Sequence, residues 1–325
     1  MSWLVTGGAG YIGSHVVQAL KDAGIPPVVI DDLSTGVTDF VPDDVPLVNA
    51  SLLDAEAVAA ALRDHAVEGV IHLAGFKYAG VSVERPLHTY EQNVTGMLVL
   101  MRALKDAGID RFVFSSSAST YGTPDVDQVT EDTATGPQSP YGETKLIGEW
   151  LLRDAETSYG LAHTSLRYFN VVGSGTEDLY DVSPHNLFPL VFDMLYRGAT
   201  PRINGTDYPT PDGTCVRDYV HVSDLAAAHV AAAQRMINGG DLEPVYNLGS
   251  GEGSSVREIM DAIRKVTGID FEPTLADRRP GDPARIVANG ELAARDLDWK
   301  MRHTLEEMVA SAWAARQKAG DSYPS

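Results

Sequence analysis

The stretch Thr6-Gly7-Gly8-Ala9-Gly10-Tyr11-Ile12-Gly13 constrains this chain more than any other, because it joins a short apolar run, Trp3 to Thr6, directly to an amphipathic segment of helical period, Ile12 to Ala23. Glycines at 7, 10 and 13 suit a strand-to-helix turn. One allows the tight bend, one lets the backbone approach a pyrophosphate, and one lets helix and strand pack closely. The free N–H groups at such a helix start attract phosphates. A glycine turn alone is weak evidence. Here a second apolar run ends in Val28-Val29-Ile30-Asp31-Asp32, about 20 residues past the loop, where a carboxylate accepts the ribose hydroxyls of a dinucleotide. An acid there repels the 2'-phosphate of NADP, and Leu33-Ser34-Thr35-Gly36 contains no arginine to compensate. The spacing therefore predicts NAD as cofactor. The alternative is a structural turn followed by a solvated acid.

Further apolar runs follow at Val45 to Asn49, Gly69 to Leu73, Arg111 to Ser115, His163 to Arg167 and Val245 to Leu248. Helix-length segments alternate with them, at Ala55 to His65, His88 to Ala107 and Tyr141 to Tyr159. This is the signature of βαβ units, so the expected class is α/β, a doubly wound parallel sheet (Rossmann) with a smaller C-terminal substrate-binding lobe. Beyond about residue 171 the chain turns to Gly, Pro and Asp-rich loops with shorter helices near His185 to Arg197, Val256 to Thr267 and Leu305 to Lys318. The expected division is 1–180 for the dinucleotide-binding domain, with 215–250 returning to the sheet, and 181–325 mainly for the second lobe.

The formal charge of -20 disfavours nucleic acid or an anionic membrane as partner, and an anionic substrate then needs local arginines. A single cysteine, Cys215, excludes an intramolecular disulfide and a multi-thiolate site; no metal is expected, and the cytoplasm is the expected compartment. Met1 to Thr6 carries neither a basic stretch nor a long apolar one, so no signal peptide or anchor is expected.

Tyr141-Gly142-Glu143-Thr144-Lys145 opens a helical segment, so its tyrosine and lysine project from one face. Ser115-Ser116-Ser117 ends the fifth apolar run, at the carboxyl edge where doubly wound sheets bind ligands. A serine, a tyrosine and a lysine beside a nicotinamide imply oxidation of an alcohol. A tyrosine of ordinary pKa about 10 must be lowered by roughly 3 pH units, or about 4 kcal/mol, to act as a base near neutrality. A positive charge some 5 Å away contributes around 3 kcal/mol at an effective dielectric of about 20, so Lys145 and the oxidised ring together suffice. Tyr141 is the expected general base, with Lys145 also on the nicotinamide ribose and Ser117 orienting the substrate hydroxyl. Alone, a Tyr-x-x-x-Lys pair is more often structural.

These residues resemble the extended short-chain dehydrogenase/reductase superfamily and, more narrowly, the UDP-glucose 4-epimerases within it, over practically the whole chain. The stretches that carry the resemblance include Gly7 to Ser14, Leu73-Ala74-Gly75-Phe76-Lys77, Phe114 to Ser117, Ser139-Pro140-Tyr141-Gly142, Leu166-Arg167-Tyr168-Phe169-Asn170, Asp207-Tyr208-Pro209-Thr210, Val216-Arg217-Asp218-Tyr219 and Arg278-Arg279-Pro280-Gly281-Asp282. The resemblance implies that Tyr11, Ile12, Asp31 to Gly36, Leu73 to Lys77, Asn93, Ser115, Tyr168 and Phe169 line NAD. It implies that Asn170, Asn186, Leu187, Arg217, Arg279 and Asp282, with Lys77, Ser117 and Tyr141, hold a UDP-sugar. The implied reaction interconverts UDP-galactose and UDP-glucose through a transient 4-keto sugar while NAD stays tightly bound. Relatives pair their two long helices into a homodimer, which is expected here as well.

The chain departs from the pattern in places. Ser51 followed by Leu52 stands where an aspartate usually meets the adenine, and Asp54 is expected to cap the next helix instead. Ile286 stands at the position expected beside the sugar C2'. Ser117-Ala118-Ser119-Thr120-Tyr121-Gly122 lacks the Asp-Glu pair of 4,6-dehydratases. Epimerases of UDP-GlcNAc, UDP-xylose or UDP-glucuronate, and a catalytically silent NAD-binding sensor, remain alternatives.

Overall fold

The computed structural model describes residues 2–278 and 283–320. Its centre is a seven-stranded sheet in which every pairing is parallel. The first five strands are β1 (Ser2–Thr6), β2 (Pro27–Asp31), β3 (Leu47–Asn49), β4 (Val67–His72) and β5 (Arg111–Ser115). The order across the sheet is β3, β2, β1, β4, β5, then Ala162–Tyr168 and Val245–Leu248. The order reverses between β1 and β4, and a doubly wound sheet opens its ligand crevice beyond the carboxyl ends of the strands at that reversal.

Strand alternation divides the core. Trp3, Val5, Val29, Ile71, Val113 and Leu166 point to one face, against helix α1 (Tyr11–Asp22) and the Val222–Ile237 helix. Leu4, Val28, Ile30, Val70, Phe112 and Phe114 point to the other, against the Ala55–Asp64, Gly96–Ala107 and Pro140–Tyr159 helices. Strands buried on both faces read as continuous apolar runs, which is why they are visible in the sequence. The chain returns to this core again at Glu291–Leu297, where Ala293 and Leu297, with Trp299 just beyond the helix, join the α1 face. The second lobe has its own core of Phe188, Phe192, Ile259, Ile263, Met308 and Trp313, from the Leu187–Tyr196, Val256–Thr267 and Leu305–Ala319 helices.

The segment expected as one helix from His88 to Ala107 is interrupted. An α-helical turn, Pro86–Tyr90, passes into a π-helical turn, Glu91–Thr95, before Gly96–Ala107 resumes the α-helix. No helix among the described residues is long and apolar enough to cross a membrane.

Candidate active site

The glycine loop follows β1 and the Leu73–Lys77 segment follows β4, so both stand at the reversal of strand order. They share a cleft of about 430 Å³ with Asp31, Asp32, Ser34, Thr35, Gly36, Leu52, Tyr141, Lys145 and Tyr168. Gly7 adopts φ +73°, and a Cβ on it would lie 2.8 Å from the Ala74 nitrogen. A Cβ on Gly13 would lie 2.1 Å from the Gly7 carbonyl oxygen. The first glycine therefore makes the turn and the third lets α1 close onto it. Gly10 precedes α1 and gives it no side-chain cap, which leaves the helix start open to an anion.

Asp31 closes the cradle. Its Oδ2 accepts from the Ala9 nitrogen at 3.0 Å and its Oδ1 from the Leu33 nitrogen at 2.9 Å. Each oxygen keeps a second lone pair for a ribose hydroxyl. Burial raises its carboxyl pKa, opposed by those two N–H groups. The exposed Asp32 accepts from Ser34 through both its nitrogen and its hydroxyl. A bend without a Cβ, an open helix start and an acid with spare acceptor capacity fit a dinucleotide lacking a 2'-phosphate.

Local rules bring Tyr141 to the rim. Ser139 caps its helix by accepting from the Gly142 nitrogen at 3.2 Å, and Pro140 occupies the first helical position. Tyr141 thus lies in the first turn, with its own nitrogen donating to the Ser82 hydroxyl at 3.1 Å. Lys145, one turn on, donates from Nζ to the Ser115 carbonyl at 2.8 Å and lies 5.8 Å from the centre of the Tyr141 ring. Burial lowers Lys145 to about 8, against the charge of Glu149. Burial raises Tyr141, and hydrogen bonding with Ser117 only partly opposes the rise. The expected lowering of Tyr141 is therefore absent from the protein alone. One N–H of the ammonium serves the Ser115 carbonyl, and lowering the buried phenol requires a further positive charge beside it.

Several expected contacts have other partners. The Ser115 hydroxyl bonds His229 Nε2 at 2.6 Å, so only its carbonyl serves Lys145. Asn93, in the π-helical turn, accepts from the Phe76 nitrogen at 2.6 Å and donates to Thr144 at 2.8 Å, so it braces the Leu73–Lys77 loop. Phe169 lies between the strands Ala162–Tyr168 and Asn170–Val172 and, unlike Tyr168, is not part of the cleft lining. It packs with Tyr121, Val129, Ile286 and Ala288, and Ile286 is only 8% exposed. The Ser51 hydroxyl accepts from the Leu53 nitrogen at 3.2 Å, while Asp54 caps the Ala55–Asp64 helix as expected. Leu33 adopts φ +57° and packs on the core of the α1 face.

Of the expected nucleotide-sugar residues, Lys77 and Tyr141 line the cleft, whereas Asn170, Asn186, Leu187 and Arg217 are not part of its lining. Asn170 donates to the Asp218 carbonyl at 2.9 Å and Asn186 to Asp181 at 2.7 Å. Leu187 begins its helix, and Arg217 donates to the Pro283 carbonyl at 2.7 Å. Arg279 and Asp282 lie outside the described residues. Arg85 and His88 line the cleft and were missed in the sequence; their signal was an arginine and a histidine shortly after Lys77. Among the described residues no group of three or more His, Cys, Asp or Glu is placed to hold a metal ion.

A family model described as the NAD dependent epimerase/dehydratase family matches residues 3–249. A UDP-glucose 4-epimerase of Azospirillum brasilense is 46% identical over 95% of this chain and 90% of its own length. A crystal structure of a UDP-glucose 4-epimerase superposes with a TM-score of 0.95 at 40% identity, covering 99% of each chain. The UDP-glucose 4-epimerase from Brucella ovis in complex with NAD superposes at 0.92 and 38% identity, covering 96% of this chain and 97% of that one. On these matches the cofactor is NAD, and the chain belongs to the NAD dependent epimerase/dehydratase family.

Proposed function

We propose that the protein is a UDP-glucose 4-epimerase interconverting UDP-galactose and UDP-glucose, with Tyr141, Lys145 and Ser117 as its catalytic residues. The observation that carries this reading is that Tyr141 and Lys145 open into the same cleft as the glycine loop, in a chain 46% identical to such an enzyme. Bound NAD supplies a reversible hydride acceptor for a sugar carbon. Tyr141 takes the proton of the 4'-hydroxyl and holds it while C4' is a ketone. Once the sugar has presented its other face, Tyr141 returns the proton, and the configuration is inverted without net oxidation.

Lys145 keeps its ammonium below about pH 8 and so favours the phenolate. Ser117, hydrogen-bonding with Tyr141, orients the hydroxyl that reacts. Asn170, Asn186, Leu187, Arg217, Arg279 and Asp282 are the proposed nucleotide grip, with Lys77 at the cleft. Holding the nucleotide and leaving the sugar loose is what permits the ring to turn. Ile286, packed on Phe169, shapes this side from beneath. We also propose a cytoplasmic homodimer, since the chain holds a single cysteine, Cys215, and Trp150 stands 47% exposed on the Pro140–Tyr159 helix.

The test is incubation of purified protein with UDP-galactose, without added NAD, and separation of the products. UDP-glucose should accumulate to equilibrium, faster than conversion of UDP-GlcNAc, UDP-xylose or UDP-glucuronate in parallel reactions. Protein that carries NAD yet leaves UDP-galactose unchanged would be a sensor, and a faster reaction with another sugar would reassign the substrate.

A further inference from the structure

Beneath the cleft lies a charged pair that proton transfer by Tyr141 does not use. Glu149 Oε1 accepts from the Ser116 hydroxyl at 2.5 Å and from Arg167 Nε at 2.9 Å, and its Oε2 accepts from Arg167 Nη2 at 2.6 Å. The side chains of Arg167 and Glu149 are only 6% and 7% exposed. Burying such a pair costs desolvation that its attraction barely repays, and apolar residues of equal volume often stabilise as well. Stability alone therefore does not account for it. Its connections do. Ser116 precedes Ser117, Arg167 precedes Tyr168 of the cleft, and Glu149 stands one helical turn beyond Lys145 on the same face. Arg167 also lies 4.8 Å from the Tyr121 ring, whose hydroxyl donates to Asn247 on the edge strand at 2.7 Å.

We propose that the Glu149–Arg167 ion pair, with Ser116, is the positioning element of the reacting site, holding the Ser117 strand end against the Tyr141 helix and giving Lys145 its counter-charge. The inference rests on the epimerase reading and adds residues that act through Ser117 and Lys145. Lys145 is faced by Tyr141 and Glu149 from its own helix, by His72 from β4 and by His229 from the Val222–Ile237 helix. Burial lowers the two histidines to about 3 and about 4, so neither carries charge near neutrality. Burial also lowers Lys145, and the Glu149 charge opposes that fall. Without Glu149 the ammonium is lost at lower pH.

Two variants test this: the double Glu149→Gln/Arg167→Met, which removes both charges at similar volume, and Ser116→Ala, which cuts only the tie to the serine strand. Competitive labelling with acetic anhydride, read by peptide mass across pH, reports the Lys145 midpoint without turnover. The double variant should move that midpoint, and the alkaline limb of kcat, down by about one pH unit. Ser116→Ala should lower kcat about tenfold with KM and the alkaline limb nearly unchanged, as expected for a misplaced reacting group. Unchanged midpoint and kcat in variants that melt cooperatively and retain NAD would overturn the proposal. If the double variant fails to fold, an unchanged kcat in Ser116→Ala overturns it. A wild type that labels as expected but converts no UDP-sugar would overturn the epimerase reading instead.

Discussion

At Gly13 a methyl group would meet the backbone of the glycine loop, 2.1 Å from the Gly7 oxygen and 2.8 Å from the Gly8 Cα. Neither neighbour can rotate aside, so Gly13→Ala should cost at least the ~1–3 kcal/mol of ordinary overpacking. The thermal midpoint should fall, and added NAD should raise it less than in the wild type. An unchanged midpoint and an unchanged NAD response would show that the loop opens differently. The tight packing at Gly7 and Gly13 and the placing of Asp31 beside the glycine loop were legible in the sequence because each follows from local geometry at fixed spacing. The state of Tyr141 was not. Charge arithmetic from residue types sets Lys145 beside it, but the burial that raises the phenol and the Ser115 carbonyl that engages the ammonium are tertiary facts. Asn93 is similar: the resemblance implied a ligand contact, and its partners, Phe76 and Thr144, come from distant segments.

Elements were easier to read than side-chain partners. Arg111–Ser115, Val245–Leu248 and Val256–Thr267 begin and end where the apolar pattern places them. The last carries a capping box between Ser255 and Glu258, a purely local signal. The π-helical turn at Glu91–Thr95 had no such signal, since it places Asn93 against a loop 17 residues earlier. Helix periodicity also cannot separate core from interface. Met101, Leu104 and Leu146 are buried within the chain, whereas Trp150 on the same pattern is exposed. The proposed dimer would cover that tryptophan. Light scattering at micromolar concentration should give twice the chain mass of 34.9 kDa, and Trp150→Glu should shift the mass toward one chain. A wild type with the mass of one chain would contradict the pairing.

Across the whole molecule, the sheet brings together residues far apart in sequence: the glycine loop after β1, Lys77 after β4, Ser117 after β5 and Tyr168 at the end of Ala162–Tyr168. Asn170, Asn186 and Arg217 stand on segments outside this seven-stranded sheet. The second lobe was only partly legible, because short strands such as Val216–Arg217 and Arg285–Ala288 take their order from pairing across the chain and not from a local period. The measurement that bears most directly on this convergence is turnover of UDP-galactose by Tyr141→Phe, taken together with the NAD retained by the purified variant. Proton transfer by the phenol predicts wild-type NAD content and turnover lower by about 10²–10⁴-fold. Turnover within a few-fold of wild type, with NAD retained, would contradict it.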